Sequence, residues 1–358
     1  MKLRFYLLLF ILFQIGLKVC SYYPEVIDQY YSRGIYPLYS QLWQKLLTPI
    51  PFSVGDVLYF ILGIYLVYKY VQLYRETNKW STRLLHATKF TVKCIVVFFL
   101  AFNLSWGLNN YRIPLVSTLQ LETGYTQEEL LSFTKRLIDK ANTQQLLLTQ
   151  DSTKAVVVTQ SLQELYAAVD QGHYKAGKET KLYQYTPHTV KSSLYSLPLT
   201  YMGFSGYLNP FTQEAQVNDM VPKITMIVTA SHEVAHQLGY AHESDANFLG
   251  FRAAYAQDQL IYQYGATIFA LRYCLNAITY NENEPMMFED LFQTIHPGVQ
   301  ENIMEPTVFW QSYKTITDSF FKVFYGTFLK VNNQKEGIRS YNRFVDLLIN
   351  YDKQQPLY

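Results

Sequence analysis

Cysteine and charge are both scarce in this sequence. Three cysteines in 358 residues, with no Cys-x-x-Cys pair, exclude a small secreted fold stapled by disulfides and a metal or redox site built on cysteine. Charged residues make up 16% of the chain, and the formal net charge is +2. These values exclude a disordered chain and argue against a nucleic-acid-binding protein. Hydrophobic residues, by contrast, reach 49%.

The small net charge is the sum of two unlike regions. Residues 1–114 contain twelve Lys and Arg against four Asp and Glu, whereas residues 115–358 contain 18 basic and 24 acidic residues. Opposite charge and different composition predict two domains with a boundary near Pro114.

The basic region contains three apolar stretches, at about residues 5–20, 54–73 and 90–109. Each is close to the length of about 20 residues that an α-helix needs to cross a bilayer. Lysines near the ends can snorkel to the headgroups, and Tyr and Trp lie at the same borders. We therefore predict a three-helix transmembrane region over residues 1–114 that contacts the lipid bilayer. Buried core helices are the alternative interpretation.

The positive charges predict how these spans are oriented. Basic residues precede the first stretch and surround the short connection between the second and third: Lys2, Arg4, Lys69, Arg75, Lys79, Arg83 and Lys89. Because Lys and Arg are retained on the cytoplasmic side, we expect a multi-pass protein of the cytoplasmic (inner) membrane with its N-terminus inside. The loop over residues 21–53 and the domain over residues 115–358 are then extracytoplasmic. The first stretch lacks a small-x-small cleavage site, which favours a retained signal anchor.

The acidic region has the pattern of one α+β domain that is helix-rich in its second half. Thr126 and Glu129 form a capping-box sequence at the start of an amphipathic helix. The pattern predicts a strand over Lys154–Thr159, and strand, turn and strand over Tyr201–Phe211 and Glu214–Asn218. Further helices are predicted at about residues 162–170, 224–239, 244–257, 259–280, 287–295, 307–328 and 341–351.

One motif indicates chemistry: His232-Glu233-Val234-Ala235-His236. On an α-helix, residues four apart share a face, so both imidazoles can bind one ion while Glu233 acts as general base on a water bound to it. A solvated His and Glu face without function and a purely structural zinc site are the alternatives. Apolar and small neighbours disfavour the first, and the absence of a nearby cysteine disfavours the second.

A catalytic zinc needs a third protein ligand, and the sequence offers two adjacent candidates. Gly239 and His242 complete the metzincin spacing His-Glu-x-x-His-x-x-Gly-x-x-His. Glu243 instead begins Glu-Ser-Asp-Ala-Asn, which resembles the gluzincin pattern in which a second helix supplies a glutamate and Asn247 supports a ligand by hydrogen bonding. Either ligand requires the first helix to end near Gly239.

The run Tyr201–Phe251, which includes both motifs, resembles a family of uncharacterised bacterial membrane proteins catalogued as a domain of unknown function. Matching stretches also occur at Tyr31-Ser-Arg-Gly-Ile-Tyr-Pro37, Pro51-Phe-Ser-Val-Gly-Asp56, Trp106-Gly-Leu-Asn-Asn-Tyr-Arg112 and Phe328-Leu-Lys with Gly337 and Ser340-Tyr341. The resemblance implies three spans and a zincin-like outer domain, without an established substrate. It favours Glu243 as the third ligand, with His242 as the alternative.

These observations lead to a hypothesis: a membrane-anchored zinc-dependent peptidase that hydrolyses amide bonds in peptides or proteins of the cell envelope. Zn²⁺ is expected on His232, His236 and Glu243, with Glu233 as the proton acceptor. The alternative is a non-catalytic, zincin-like protein that binds or assembles envelope components.

Substrate contacts are less well specified by the sequence. Glu214–Asn218 is a candidate edge strand that pairs with an extended peptide, or an ordinary strand of the sheet. Tyr201, Tyr264 and His296 are candidates for stabilising the oxyanion, and the sequence does not choose among them.

Overall fold

A computed structural model describes residues 3–180, 182–183, 190–279, 285–315, 320–321, 323, 326–327 and 341–357. The chain divides into two compact units. The first comprises Met1–Ile113 and the short segment Asn209–Glu214, and the second comprises Pro114–Leu208 and Ala215–Tyr358.

Three helices of the first unit are long and apolar enough to cross a membrane: α1 (Leu3–Cys20), α4 (Val54–Arg75) and α5 (Trp80–Ser105). They are compatible with a multi-pass membrane protein. Phe10 of α1 and Tyr70 of α4 both make edge-to-face ring contacts with α5, through Phe99 and Phe90. Helix α5 starts well before the predicted stretch at residue 90 and ends earlier, since a 3₁₀-helix over Gly107–Tyr111 follows.

The connection between the first two candidate spans is largely helical and is not an open loop. Helix α2 (Pro24–Val26), a π-helix (Ile27–Ile35) and α3 (Tyr36–Leu47) follow one another, and the residues at both junctions have helical backbone angles. The Asp28 carboxylate is buried and pairs with Arg112 at 3.2 Å and with Arg33 at 2.7 Å. This pairing compensates the cost of burying the charge.

The segment Asn209–Glu214 packs within the first unit. The buried Glu214 carboxylate accepts hydrogen bonds from the amides of Val54 (3.1 Å) and Gly55 (2.6 Å) at the start of α4. A carboxylate is favourable there because the first amides of a helix have no partner within the helix. A Cβ on Gly55 would lie 2.3 Å from the side-chain nitrogen of Asn209, so only glycine allows this approach.

The second unit contains a small three-stranded sheet: β1 (Val190–Ser192), β2 (Gly206–Leu208) and β3 (Ala215–Val217). Its order is β1-β3-β2, with β1 parallel and β2 antiparallel to β3. Strand β3 is therefore central, so of the two interpretations of Glu214–Asn218 the structure has the ordinary strand of the sheet and not the edge strand. The hairpin pattern predicted β2 and β3, but β1 was not recognised and supplies the second neighbour of β3.

Helices form most of the rest of the second unit as the structure describes it. Their bounds are α6 (Leu115–Thr118), α7 (Gln127–Thr149), α8 (Leu162–Thr180), α9 (Ser196–Met202), α10 (Lys223–Gln237), α11 (Glu243–Tyr255), α12 (Leu260–Thr279), α13 (Pro285–Gln293), α14 (Pro297–Ser312) and α15 (Tyr341–Gln354). The expected capping box of Thr126 and Glu129 starts α7. Helix α10 packs against β2, β3, α11 and α12 around one apolar core.

Two predictions for this unit are wrong. Lys154–Thr159 is not in a strand, although Val156 and Val158 are buried as alternation requires. The side-chain amide of Asn302 accepts from the Val156 amide and donates to its carbonyl, so a side chain replaces a partner strand. The helix predicted from residue 307 is α14, which begins at Pro297 and continues through Pro306. The end of that prediction, from residue 316, lies largely outside the described residues.

Candidate metal centre

Helix α10 presents His232 and His236 on one face. Their rings lie 4.6 Å apart, measured between centroids, and are nearly perpendicular at 88°. This proximity follows from the spacing of four residues on a helix with 3.6 residues per turn. Both side chains are largely buried, because α10 packs between the sheet and three other helices, α8, α11 and α12.

The chain reverses immediately after the second histidine. Gly239 has φ +80°, and the amides of Gly239 and Tyr240 donate to the carbonyls of His236 (3.0 Å) and Ala235 (3.2 Å). This is the hydrogen-bond pattern of a Schellman helix end, which glycine adopts without steric cost. The turn that the motif required at Gly239 is present.

The reversal places Glu243, the first residue of α11, opposite the two histidines. Its carboxylate oxygens lie 3.4 Å from His232 Nε2 and 3.9 Å from His236 Nε2. One ligand atom from each of the three residues lies within 4.8 Å of the other two. These separations suit three donors around a single ion, and His and Glu are ligands that zinc accepts.

The other two predicted residues take different positions. His242 is the N-cap residue of α11 and is not part of the three-residue group. Asn247, one turn into α11, has its side-chain oxygen 2.9 Å from His232 Nδ1 and donates through its nitrogen to the Tyr273 hydroxyl at 3.3 Å. The structure thus brings together His232, His236 and Glu243, and it places Asn247 next to the Nδ1 side of the His232 ring.

In both histidines, Nδ1 makes a hydrogen bond to an oxygen atom. His232 Nδ1 faces the Asn247 side chain, and His236 Nδ1 lies 2.7 Å from the carbonyl of Tyr240. An oxygen acceptor at Nδ1 fixes the proton there, which leaves the lone pair of Nε2 directed at Glu243. This arrangement fits the neutral imidazoles that a divalent cation requires.

Glu233 is the buried acid between the two histidines. Its Oε2 atom has no hydrogen-bond partner among the described residues, which is rare for a buried carboxylate. Burial raises the pKa of Glu233 to about 8, and the charge of Glu243 adds to this while His232 opposes it. A carboxylate in such surroundings is a stronger base than one in water.

The two histidines differ electrostatically. Burial lowers the pKa of His236 to about 4, and the charge of His232 acts in the same direction. Burial also acts to lower the pKa of His232, but the hydrogen bond and charge of Glu243, with the charge of Glu233, raise it overall. Both shifts in pKa reflect two imidazoles and two acids, Glu233 and Glu243, close together in a site from which water is largely excluded.

The backbone lies close to the site at two glycines, Gly250 of α11 and Gly206 of β2. A Cβ on Gly250 of α11 would lie 2.8 Å from the backbone nitrogen of His232, so α11 packs directly on α10. A Cβ on Gly206 of β2 would lie 2.9 Å from Glu233 Oε1. Strand β2 therefore runs beside the general-base candidate. Ala246 is also fully buried at this helix contact.

The three candidates for oxyanion stabilisation have partners elsewhere in the second unit. The Tyr264 hydroxyl donates to Asn302 at 2.8 Å, and His296 Nδ1 lies 3.0 Å from the Gln145 side-chain oxygen. Tyr201 packs edge-to-face on Tyr313. None of these contacts involves the three-residue group.

Sequence reasoning missed Gly206, Tyr273 and the carbonyl of Tyr240 as parts of the site. The sequence shows Gly206 in a run of turn-forming residues, but nothing in that run predicts that Gly206 lies close to Glu233. A backbone carbonyl carries no sequence signal, because every residue has one.

A family model described as "Protein of unknown function (DUF3810)" matches residues 31–349. The chain belongs to this family. The match covers the second and third candidate spans and all residues of the metal-site group. No curated protein and no solved structure matches the chain. Membership of an uncharacterised family therefore leaves the activity to be argued from the site.

Proposed function

We propose that this protein is a membrane-anchored, zinc-dependent peptidase with a zincin-like catalytic domain. The observation that carries the proposal is the convergence of His232, His236 and Glu243 beside the buried carboxylate of Glu233, whose Oε2 atom has no hydrogen-bond partner among the described residues. A structural ion would need the ligands but would not need this acid. The helix of the motif packed on a small sheet, and a second helix that supplies a glutamate, are features that zincins share.

The donor set supports zinc in particular. Two imidazoles and one carboxylate leave a position open for water or substrate, as in catalytic zinc sites. When bound, zinc would polarise a substrate carbonyl and lower the pKa of water. The hydrogen bonds at both Nδ1 atoms would orient the ligands before the ion binds.

The roles of the protein groups follow from their chemistry. Glu233 would take a proton from the attacking water and deliver it to the nitrogen of the leaving amine. Its burial beside β2 keeps the carboxylate away from bulk water, and Gly206 leaves room for its side chain. Asn247 would hold the ring of His232 in place.

The topology supports an extended peptide as substrate, with β2 as the strand that pairs with it. Asn209 and Ser205, which flank β2, are hydrogen-bonded to the residues that flank β3: the Asn209 amide donates to the Glu214 carbonyl, and the Ser205 carbonyl accepts from the Asn218 amide. Because hydrogen bonding alternates along an antiparallel strand, the main-chain groups of Gly206 and Leu208 point away from β3. An extended chain on that side would run next to Glu233, whereas β3 has both sides occupied.

The decisive test is the Glu233→Gln variant of the full-length protein in detergent. We expect it to retain zinc, measured by atomic emission, and to lose hydrolysis of a peptide library that the wild-type protein cleaves. Glu128→Gln, at an exposed position of α7, is the control and should change neither value. Undiminished hydrolysis in Glu233→Gln would refute the mechanism. Zinc binding without hydrolysis by the wild-type protein would instead identify a non-catalytic binding or assembly protein.

A further inference from the structure

The helical segment Pro24–Leu47, between the first two candidate spans, carries a row of exposed leucines. Leu38, Leu42 and Leu46 of α3 are 70%, 57% and 58% exposed. They are spaced by four residues and so lie on one face of the helix. Val26 and Tyr30 extend the exposed apolar surface toward the start of the segment.

The opposite face of α3 is buried and polar. Tyr36, Ser40 and Gln44 are spaced in the same way and are almost completely buried. The Tyr36 hydroxyl donates to the Gln213 side chain at 2.7 Å, and the Gln44 side chain donates to the Gln213 carbonyl. A helix on the surface of a water-soluble domain has the reverse arrangement, with apolar residues inside and polar residues outside.

The connections at its two ends restrict where this segment can lie. Three residues separate α1 from Pro24, and six separate Leu47 from α4. A fully extended chain spans at most about 3.6 Å per residue, so these connections reach about 11 Å and 22 Å. The segment therefore stays close to the ends of two helices that are themselves apolar enough to cross a membrane.

We infer that Pro24–Leu47 is a fourth membrane-contacting element, whose Leu38, Leu42 and Leu46 face lies against lipid at the boundary of the bilayer. Lipid is favoured over a protein partner because the leucine face adjoins, along the chain, two spans whose side chains are mostly exposed in the same way. The side chain of Lys45 is exposed and can reach the headgroups. This contact does not depend on the proposed catalytic activity.

The test measures the surroundings of spin labels on the full-length protein in liposomes. Cys20 and Cys94 are replaced by serine, the buried Cys274 is retained, and single cysteines are introduced as Leu38→Cys, Leu42→Cys and Leu46→Cys. Relaxation by oxygen, which concentrates in lipid, is compared with relaxation by a water-soluble nickel chelate. Leu58→Cys in α4 provides the lipid reference. Leu147→Cys in α7, 66% exposed, provides the matched water reference.

We expect the ratio of oxygen to nickel accessibility at all three positions to approach that of Leu58→Cys and to exceed that of Leu147→Cys. A ratio like that of Leu147→Cys would place the face in water and overturn the inference. Exclusion of both reagents would show that a second copy or another protein covers the face, which also overturns it. Three positions are used so that one misfolded variant does not decide the result.

Discussion

At the scale of single residues, the Asn247 side chain links the candidate metal centre to Tyr273 of α12. It lies between His232 Nδ1 and the Tyr273 hydroxyl, so it holds the His232 ring on the side opposite to the ligand atom Nε2. Loss of such a supporting hydrogen bond typically costs about 10- to 100-fold in metal affinity. We predict that Asn247→Ala weakens zinc binding by about this factor, measured by competition with a chromophoric chelator.

Asn142→Ala serves as the control for this variant. Asn142 also makes two side-chain hydrogen bonds in the second unit, to Thr294 and to the His296 amide, but neither involves the metal-site group. Zinc affinity should be unchanged in the control. If Asn247→Ala bound zinc as tightly as the wild-type protein, His232 would have to be positioned by other contacts.

Gly206 tests the contact between β2 and the general-base candidate. An added Cβ would lie 2.9 Å from Glu233 Oε1 and 2.8 Å from the Gln216 carbonyl, so one of these groups must move. Small displacements of a catalytic group can cost about 100-fold in rate. We predict that Gly206→Ala lowers peptide hydrolysis by about 10- to 100-fold while zinc content stays constant.

Ser205→Ala is the neighbouring control for Gly206→Ala, because the Ser205 hydroxyl has no hydrogen bond among the described residues and only the Ser205 carbonyl is paired, with the Asn218 amide. It should keep most of the activity. Equal activity of the two variants would show that the close approach of Gly206 to Glu233 does not matter for catalysis.

The motif residues could be assigned from sequence because their relation is local. Residues four apart on any α-helix share a face, so His232 and His236 lie close together. Gly239 predicts the turn that follows the helix. The choice between His242 and Glu243 could not be made locally. It depends on the direction in which α11 leaves the turn, which is set by the packing of Gly250 on the backbone of His232.

At the scale of elements, helices were predicted better than strands, because the contacts that form a helix are local in sequence. The capping box at Thr126 and the regular apolar spacing of α7 and α10 lie within single segments. A strand also needs a neighbour, and the pattern over Lys154–Thr159 contained no information that Asn302, far along the chain, would take the place of one. The central position of β3 was missed because β1 lies before a helix and gives a weak signal of three residues.

The segment Asn209–Glu214 shows how an element can belong to one unit while its flanking strands belong to another. Glu214 binds two amides at the start of α4, and hydrogen bonds to a charged group contribute about 1.5 to 3 kcal/mol each. We predict that Glu214→Ala lowers the free energy of unfolding of the full-length protein by about 2 kcal/mol or more, seen as a lower melting temperature in detergent. Glu122→Ala, at an exposed position without such contacts among the described residues, should have no effect. A melting temperature of Glu214→Ala equal to that of the control would contradict the capping role.

At the scale of the whole molecule, the unequal distribution of charge is the feature that composition alone concealed. The basic region holds three helices suited to a membrane, and the acidic region holds the candidate metal centre. If the second unit faces the outside of the cytoplasmic membrane, the proposed substrates are peptides or proteins of the envelope. The orientation of the chain in the membrane therefore determines which substrates have access to the site.

The orientation can be measured with reporter fusions in a bacterial host. By the positive-inside rule, Lys69 and Arg75 at the end of α4, with Lys79 and Arg83 at the start of α5, predict that the α4–α5 connection lies in the cytoplasm. We predict that alkaline phosphatase, which is active only after export, is active when fused after Tyr358 and inactive when fused after Asn78. Green fluorescent protein, which does not fold when exported through the general secretory route, should give the opposite pattern at the same two positions. The reverse result would place the second unit, with the candidate metal centre, in the cytoplasm, and the proposed peptidase would then act on cytoplasmic proteins.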